Sequence, residues 1–247
     1  MQLRQNLKPN YGIDAPRQGL IIVLLVVVGL VIGLVFQRSP NEAARTIASV
    51  ILSLVPAGFI LILLIASYVK VEKFRHRDRM LNMLSWRGDE QVLDIGTGRG
   101  LLMIGAAKRL TTGKSVGIDI WRGQDLSHNT REAALVNAEL EGVRDKVEVR
   151  NADARGIPFP DSSFDYVLSN LCLHNIPSLE GRAAACHEIA RVLKPGGVGL
   201  ISDFRHTDEY ANVFREHGLK TTRSVSLLLA PMLLRVVRAE KQISGFC

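Results

Sequence analysis

The run Val92-Leu93-Asp94-Ile95-Gly96-Thr97-Gly98-Arg99-Gly100 restricts this chain to few architectures. An apolar strand closes on an acid and then opens into three glycines at alternate positions. Glycine has no Cβ and tolerates positive φ, so such a turn brings bare backbone against whatever lies beside it. The next residues, Leu101-Leu102-Met103-Ile104-Gly105-Ala106-Ala107, read as a buried helix whose first amides face the same place. Strand, glycine turn and helix in this order predict a nucleotide-like binding site.

Two familiar patterns fail letter by letter. A dinucleotide fingerprint needs G-x-G-x-x-G, but Leu101 occupies the sixth position and the third glycine comes one residue early at Gly100. A phosphate loop needs G-x-x-x-x-G-K-[ST]; Gly113-Lys114-Ser115 supplies its tail, yet Lys108 stands where the first glycine belongs. Downstream, Ser115-Val116-Gly117-Ile118-Asp119-Ile120 is a second short strand ending in an acid, 19 residues after Gly100. That spacing fits a βαβ unit whose second strand offers a carboxylate to ribose hydroxyls. Val147-Glu148-Val149-Arg150-Asn151-Ala152-Asp153-Ala154 and Ser163-Phe164-Asp165-Tyr166-Val167-Leu168-Ser169-Asn170 read as the third and fourth strands. Arg191-Val192-Leu193-Lys194-Pro195-Gly196-Gly197 reads as a helix end stopped by Pro and Gly, leading into a fifth strand at 198–204. Two further strands are expected at 221–227 and 234–240, joined by the apolar stretch 228–233.

This ordered series (V-L-D-I-G-T-G-R-G, G-I-D, N-A-D-A, P-F-P-D-S-S-F-D-Y-V and R-V-L-K-P-G-G) resembles the class I S-adenosylmethionine-dependent methyltransferases over residues 76–245. Within them it is most similar to the small-molecule enzymes that include the ubiquinone/menaquinone type. The resemblance implies an α/β fold, a doubly wound and mostly parallel seven-stranded sheet, with S-adenosyl-L-methionine as cofactor. It implies that Gly96, Thr97, Gly98 and Gly100 lie along the methionine portion, with Asp94 fixing the turn and reaching toward the amino group. Asp119 would take both ribose hydroxyls and Ile120 or Trp121 would pack on adenine. Asp153 would accept from the adenine amino group, beside the backbone of Ala154, and Asn170 would open onto the reacting methyl. Each residue also has a plainer reading. Asp94 as a brace for the turn, Asp153 as a loop acid and Trp121 as a residue packed under a loop all stay open. The loop 121–127 is longer than a minimal domain needs, and a lid is one role for it.

A base for an oxygen or nitrogen acceptor must sit beyond the C-terminal strand ends, where open α/β sheets bind ligands. That selects His174 first, then Asp203, with Arg205 and His206 nearby. A histidine that only hydrogen-bonds its loop is the alternative for His174. Cys172, Cys186 and Cys247 have no metal-ligand spacing, nor do the six histidines, so no metal is expected.

The N-terminal third has another character. Gly19 to Phe36 is an unbroken apolar run of 18 residues, and Ile47 to Val69 is a second run of 23 without a charge. At about 1.5 Å per residue these would reach about 27 and 35 Å as helices, enough to span a bilayer. A transmembrane hairpin is expected, with a kink at Pro56-Ala57-Gly58 and a helix-contact motif at Gly29 and Gly33. A cleaved signal or a buried core helix is the alternative. The first 79 residues hold 10 Lys+Arg against 4 Asp+Glu, whereas the remaining 168 hold 21 against 20. Arg4, Lys8 and Arg17 precede the first run and Lys70, Lys73, Arg75, Arg77 and Arg79 follow the second. By the positive-inside rule both termini and the catalytic domain face the cytoplasm. The charge lies on the membrane flanks, which argues against a nucleic-acid partner.

The expected organisation is a membrane anchor over 1–75 and a methyltransferase domain over 76–247, with an amphipathic helix at 77–86 packing on the sheet. The expected activity is methyl transfer to a hydrophobic small molecule or lipid, quinone- or isoprenoid-like, at the cytoplasmic face of a membrane. The alternatives are methylation of a membrane-associated protein, and a cofactor-binding membrane protein without catalysis.

Overall fold

The computed structural model describes residues 8–13, 16–226 and 233–243. The apolar stretch at 228–232, together with Arg4 and Cys247, lies outside them. Seven strands form one sheet: β1 (Gln91–Ile95), β2 (Lys114–Asp119), β3 (Val147–Asn151), β4 (Phe164–Asn170), β5 (Leu193–Asp203), β6 (Leu219–Ser226) and β7 (Leu234–Lys241). Their order is β3-β2-β1-β4-β5-β7-β6. The first five are mutually parallel, and β7 runs antiparallel to both β5 and β6. The chain winds outward from β1 in both directions, so the switch point lies between β1 and β4. In such sheets the crevice beyond the carboxyl ends at that point binds the ligand.

The central strands are buried on both faces, which is why Val92 to Ile95 and Tyr166 to Ser169 read as continuous runs rather than alternations. Four helices follow strands: α4 (Leu101–Ala107), α5 (Arg131–Leu140), α6 (Leu179–Val192) and α7 (Thr207–Glu216). Thr130 caps α5 by accepting from the Ala133 amide and Ser178 caps α6 by accepting from Gly181. On one face of the sheet Ala185, Ile189, Tyr210 and Phe214 of α6 and α7 join Leu93, Val167 and Ile201 in a core. On the other, Leu102 and Ala106 of α4 pack with Tyr166, Leu168 and Leu200.

Two helices precede the sheet, α1 (Pro16–Phe36) and α2 (Glu42–Ser67). Pro16 opens α1, where a missing amide hydrogen costs nothing. Both helices are long and apolar enough to cross a membrane, with mean hydropathy 3.3 and 2.7 over an 18-residue window of each. Leu20, Leu25, Val35, Leu54 and Leu63 are all exposed. The two pack on each other through small residues. Ala48 is fully buried, a Cβ on Gly33 would meet Leu52 at 2.6 Å, and one on Gly58 would meet Val26 at 2.4 Å. Gly33 therefore serves the contact between α1 and α2, and α2 continues helically through Pro56.

A π-helical turn, Tyr68–Glu72, joins α2 directly to α3 (Lys73–Leu81). The amphipathic helix thus begins four residues before the expected Arg77 and ends at Leu81, because it continues the preceding helix. Trp86 lies beyond it, donating to the Leu81 carbonyl at 2.8 Å and meeting Tyr166 edge-on at 5.2 Å. Lys73, His76, Met80 and Leu81 are the buried residues of α3. The expected boundary at residue 75 falls inside this helix. A second difference concerns β5, which already starts at Leu193. Leu193 pairs with Phe164 across a bulge and Lys194 Nζ meets Asp165 Oδ2 at 2.7 Å, so Lys194 to Gly197 belong to the strand and not to a helix end.

Residues 8–13 also lie on the catalytic sheet's periphery. Asn10 N donates to Asn137 Oδ1 at 2.9 Å, and Asn137 Nδ2 donates back to the Asn10 carbonyl. Tyr11 OH donates to Glu141 at 2.9 Å, and Lys73 Nζ donates to the Gly12 carbonyl at 2.7 Å. The start of the chain and the start of α3 are thereby fixed to one another.

Candidate active site

At the switch point the turn after β1 is built from left-handed glycines: φ is +70° at Gly96, +53° at Gly98 and +87° at Gly100. A Cβ on Gly96 would sit 2.3 Å from Cys172 Sγ, and one on Gly98 would sit 2.8 Å from Leu126. Glycine is required here by backbone conformation and by these neighbours, before any ligand is considered. Asp94 braces the turn, its Oδ2 accepting from Thr97 Oγ1 at 2.8 Å and from the Met103 amide at 2.9 Å. The plainer reading of Asp94 is thus the geometry observed, although Asp94 also lines the smaller cavity described below.

Burial pushes the Asp94 carboxyl up to about 7. Its folded-state pKa lies above its unfolded value, so folding holds a proton there that the unfolded chain releases. Stability from this group is greatest below about pH 4 and falls as pH rises toward 7, by on the order of 4 kcal/mol across that window. Asp94→Asn is expected to flatten this fall, which thermal melts in detergent between pH 4 and 8 will show.

Asp119 closes β2. Its Oδ2 accepts from the Gly98 amide at 2.8 Å and its Oδ1 from the Trp121 amide at 2.7 Å. The second bond holds Trp121 at φ +59°, an unfavourable value for a bulky residue. Leu171 after β4 and His206 after β5 are likewise left-handed, at +53° and +59°. Strain of this kind collects at sites the surrounding structure over-determines, and here it gathers at the carboxyl ends of three strands.

Two cavities meet at the turn. The larger, about 130 Å³, is lined by Gly96, Gly98, Asp119, Ile120, Asp153, Ala154 and Asn170 among others. The smaller, about 60 Å³, is bounded by Tyr11, Lys73, Asp94, Thr97, Gly98 and Asn170. Gly100 stands at the N-cap of α4 instead of lining either. Trp121 lines neither as well. It packs against the core formed by Met103, Ile104 and Ala138, which leaves Ile120, 44% exposed, as the apolar surface beside Asp119. Asp153 is held by Arg155 through bonds of 3.0 and 2.6 Å, and this pairing keeps its carboxyl below the usual carboxylate range.

The residues that spacing did not single out come from two places. Arg122, Asp125, Leu126 and Asn129 of the loop after β2 form a wall of the larger cavity. Tyr11 and Lys73 close the smaller one, although 62 residues separate them in sequence. Two amide oxygens at these walls, Asn129 Oδ1 and Asn170 Oδ1, are buried without a hydrogen bond of full geometry. Buried acceptors of this kind suit a ligand rich in hydroxyl and amino donors.

His174 and Asp203 come together as a pair, Nδ1 to Oδ1 at 2.8 Å, with the His174 ring tilted against Phe204 at 4.6 Å. Asp203 is fully buried and also accepts from the amides of His174 at 3.1 Å and Phe204 at 2.8 Å. Neither side chain lines the two cavities. Cys172 does line the larger one, but burial pushes its thiol pKa up, so it packs as an apolar group. Among the described residues no group of three or more His, Cys, Asp or Glu could hold a metal.

Residues 93–201 match the family model described as a methyltransferase domain. The 27-O-demethylrifamycin SV methyltransferase of Amycolatopsis mediterranei is 36% identical over 130 residues, 53% of this chain and 44% of that protein. A sterol 24-C-methyltransferase of Gibberella zeae is 34% identical over 138 residues, 56% of this chain and 34% of that one. The demethylmenaquinone methyltransferase of Staphylococcus aureus is 34% identical over 123 residues, 49% and 46% respectively. The chain thus spans less than half the length of these curated relatives. In fold it is similar to an S-adenosylmethionine-dependent methyltransferase of Methanosarcina mazei, with a TM-score of 0.56 at 21% identity over 67% of this chain and 98% of that one. Over residues 93–201 the chain is thus similar to a methyltransferase domain, and in fold it is similar to an S-adenosylmethionine-dependent methyltransferase.

Proposed function

We propose that this chain transfers a methyl group from S-adenosylmethionine to a hydrophobic small molecule or lipid, working from the cytoplasmic face of a membrane that α1 and α2 enter as a hairpin. The observation that carries this reading is the continuity of α2 with α3. The same helical stretch that is apolar enough to enter a bilayer ends as a wall of the cofactor site, with Lys73 at its smaller cavity. The basic residues that flank the two helices favour a cytoplasmic domain. The relatives named for sterol and demethylmenaquinone substrates support an acceptor of low polarity.

When bound, the cofactor supplies an electrophilic methyl group on a sulfonium. The chain supplies position. Asp119 would hold the ribose hydroxyls, Ile120 would pack on adenine, and Asp153 with the Ala154 backbone would receive its edge. The turn from Gly96 to Gly100 would follow the methionine portion, with Thr97 fixing Asp94 beneath it. Asn170, which lines both cavities, would open onto the reacting methyl. Holding nucleophile and methyl carbon in line accounts for much of the rate in such displacements. The His174–Asp203 pair supports the loop after β4 and is the first base named by position.

The test is to add methyl-labelled cofactor to membranes that contain the protein and to separate lipid from protein. The label is expected in the organic phase, and the protein is expected to stay in the pellet after carbonate washing. Label confined to protein would favour a peptide acceptor instead, and release by carbonate would remove the hairpin.

A further inference from the structure

Two cations and one acid, Lys73, Arg99 and Asp94, line the smaller cavity at the glycine turn, whose volume of about 60 Å³ holds a few heavy atoms. It shares Gly96, Gly98, Leu126 and Asn170 with the larger cavity, so one ligand can occupy both. The Arg99 Nε is buried without a hydrogen bond, and its Nη1 reaches the Ser127 carbonyl at 3.5 Å. Burial lowers the pKa of this guanidinium. Lys73 is 4% exposed, and its Nζ donates to the Gly12 carbonyl at 2.7 Å and to that of Tyr11 at 3.3 Å. Both of these acceptors are neutral. Cations held away from water are stabilised by an anion placed beside them.

The two ends of the membrane hairpin meet at this cavity. Lys73 opens α3, one π-helical turn after α2, and residues 8–13 run up toward α1. This strap is bound to the loop after β2, where the Ile13 amide donates to Ser127 Oγ at 2.8 Å and the Ser127 amide to the Ile13 carbonyl at 3.1 Å. Asn137 Nδ2 donates at 2.9 Å to both the Asn10 and the Arg99 carbonyls, so the strap is also tied to the glycine turn.

We propose that Lys73 and Arg99 receive the carboxylate at the methionine end of the donor, so that both ends of the hairpin close on the bound donor and complete its site. The inference rests on the donor assignment above. Two cations and one acid complement an amino acid, with its ammonium toward Asp94 and its carboxylate between Lys73 and Arg99. Charge-assisted bonds of this kind are the strong ones, and a guanidinium fork suits a carboxylate. A carboxylate on Lys73 also fixes the Tyr11 and Gly12 carbonyls that the same ammonium holds, and with them the strap. The hairpin is thereby a part of the donor site as well as an anchor.

The experiment measures, by calorimetry on the full chain in detergent, the Kd of S-adenosylhomocysteine and of its decarboxylated analogue, which keeps the amine. The wild type is expected to prefer the first about 100-fold. Lys73→Met and Arg99→Gln are each expected to lower that preference to about tenfold, the loss of one hydrogen bond to a charged group. A side chain that only supports the fold would weaken both ligands alike and leave the ratio unchanged. S-adenosylhomocysteine is also expected to slow amide hydrogen exchange in residues 8–13 about tenfold more than the analogue does. A ratio within twofold of wild type in either folded variant, or equal protection of the strap by the two ligands, would overturn the inference and leave the donor reading standing. Should Lys73→Met fail to fold, Arg99→Gln and the exchange measurement decide. If the wild type binds neither ligand, the donor reading itself fails and takes this inference with it.

Discussion

Gly96→Ala is expected to lower the melting temperature by about 5–15 °C. Two costs combine. A residue with a Cβ at φ +70° gives up about 1–2 kcal/mol, and the new Cβ would lie 2.3 Å from Cys172 Sγ and 2.5 Å from Cys172 Cβ. Overpacking of that kind costs about 1–3 kcal/mol more. The two parts separate in a double variant. Cys172→Gly removes the atoms that clash, so Gly96→Ala/Cys172→Gly should recover the packing part and retain the backbone part. Equal melting of Gly96→Ala and wild type would show that the turn is not held against β4 as described.

Asp119→Ala is expected to weaken cofactor binding by about 30- to 150-fold, equivalent to about 2–3 kcal/mol for hydrogen bonds to a charged acceptor. The carboxylate has two tasks. It offers an acceptor to the ligand, and it holds the Gly98 and Trp121 amides at 2.8 and 2.7 Å. The second task makes the loss more than one of contact, because the loop 121–129 that walls the larger cavity starts from Trp121. Asp119→Asn keeps an oxygen acceptor for one amide and should fall between alanine and wild type. Calorimetric titration of the three proteins in detergent ranks them, and alanine binding as well as wild type would remove Asp119 from the site.

Much of this was legible in the chain. Periodicity and terminal acids located β1 to β4, and the spacing from Gly100 to Asp119 placed the second carboxylate at the crevice. Other features depended on tertiary contacts that no local pattern carries. Trp121 has the composition of a base-stacking residue, yet the bond from its amide to Asp119 turns the side chain onto the core. Lys194-Pro195-Gly196-Gly197 looks like a helix stop, but the pairing of Leu193 with Phe164 draws it into β5. Of Tyr11, Lys73 and His76, the sequence singles out only Lys73, and that as a membrane flank. Their burial follows from the direct passage of α2 into α3, which carries a nominally juxtamembrane segment across the sheet. A helical phase running on from the apolar run, with Lys73, His76 and Met80 spaced by three and four, was the signal available.

The function of the chain depends first on which ligand the turn from Gly96 to Gly100 holds. Equilibrium dialysis of the detergent-solubilised full chain against labelled S-adenosylmethionine addresses this directly. One saturable equivalent per chain is expected, displaced by S-adenosylhomocysteine and indifferent to a nicotinamide dinucleotide. Displacement by the dinucleotide, or no saturable binding at all, would contradict it.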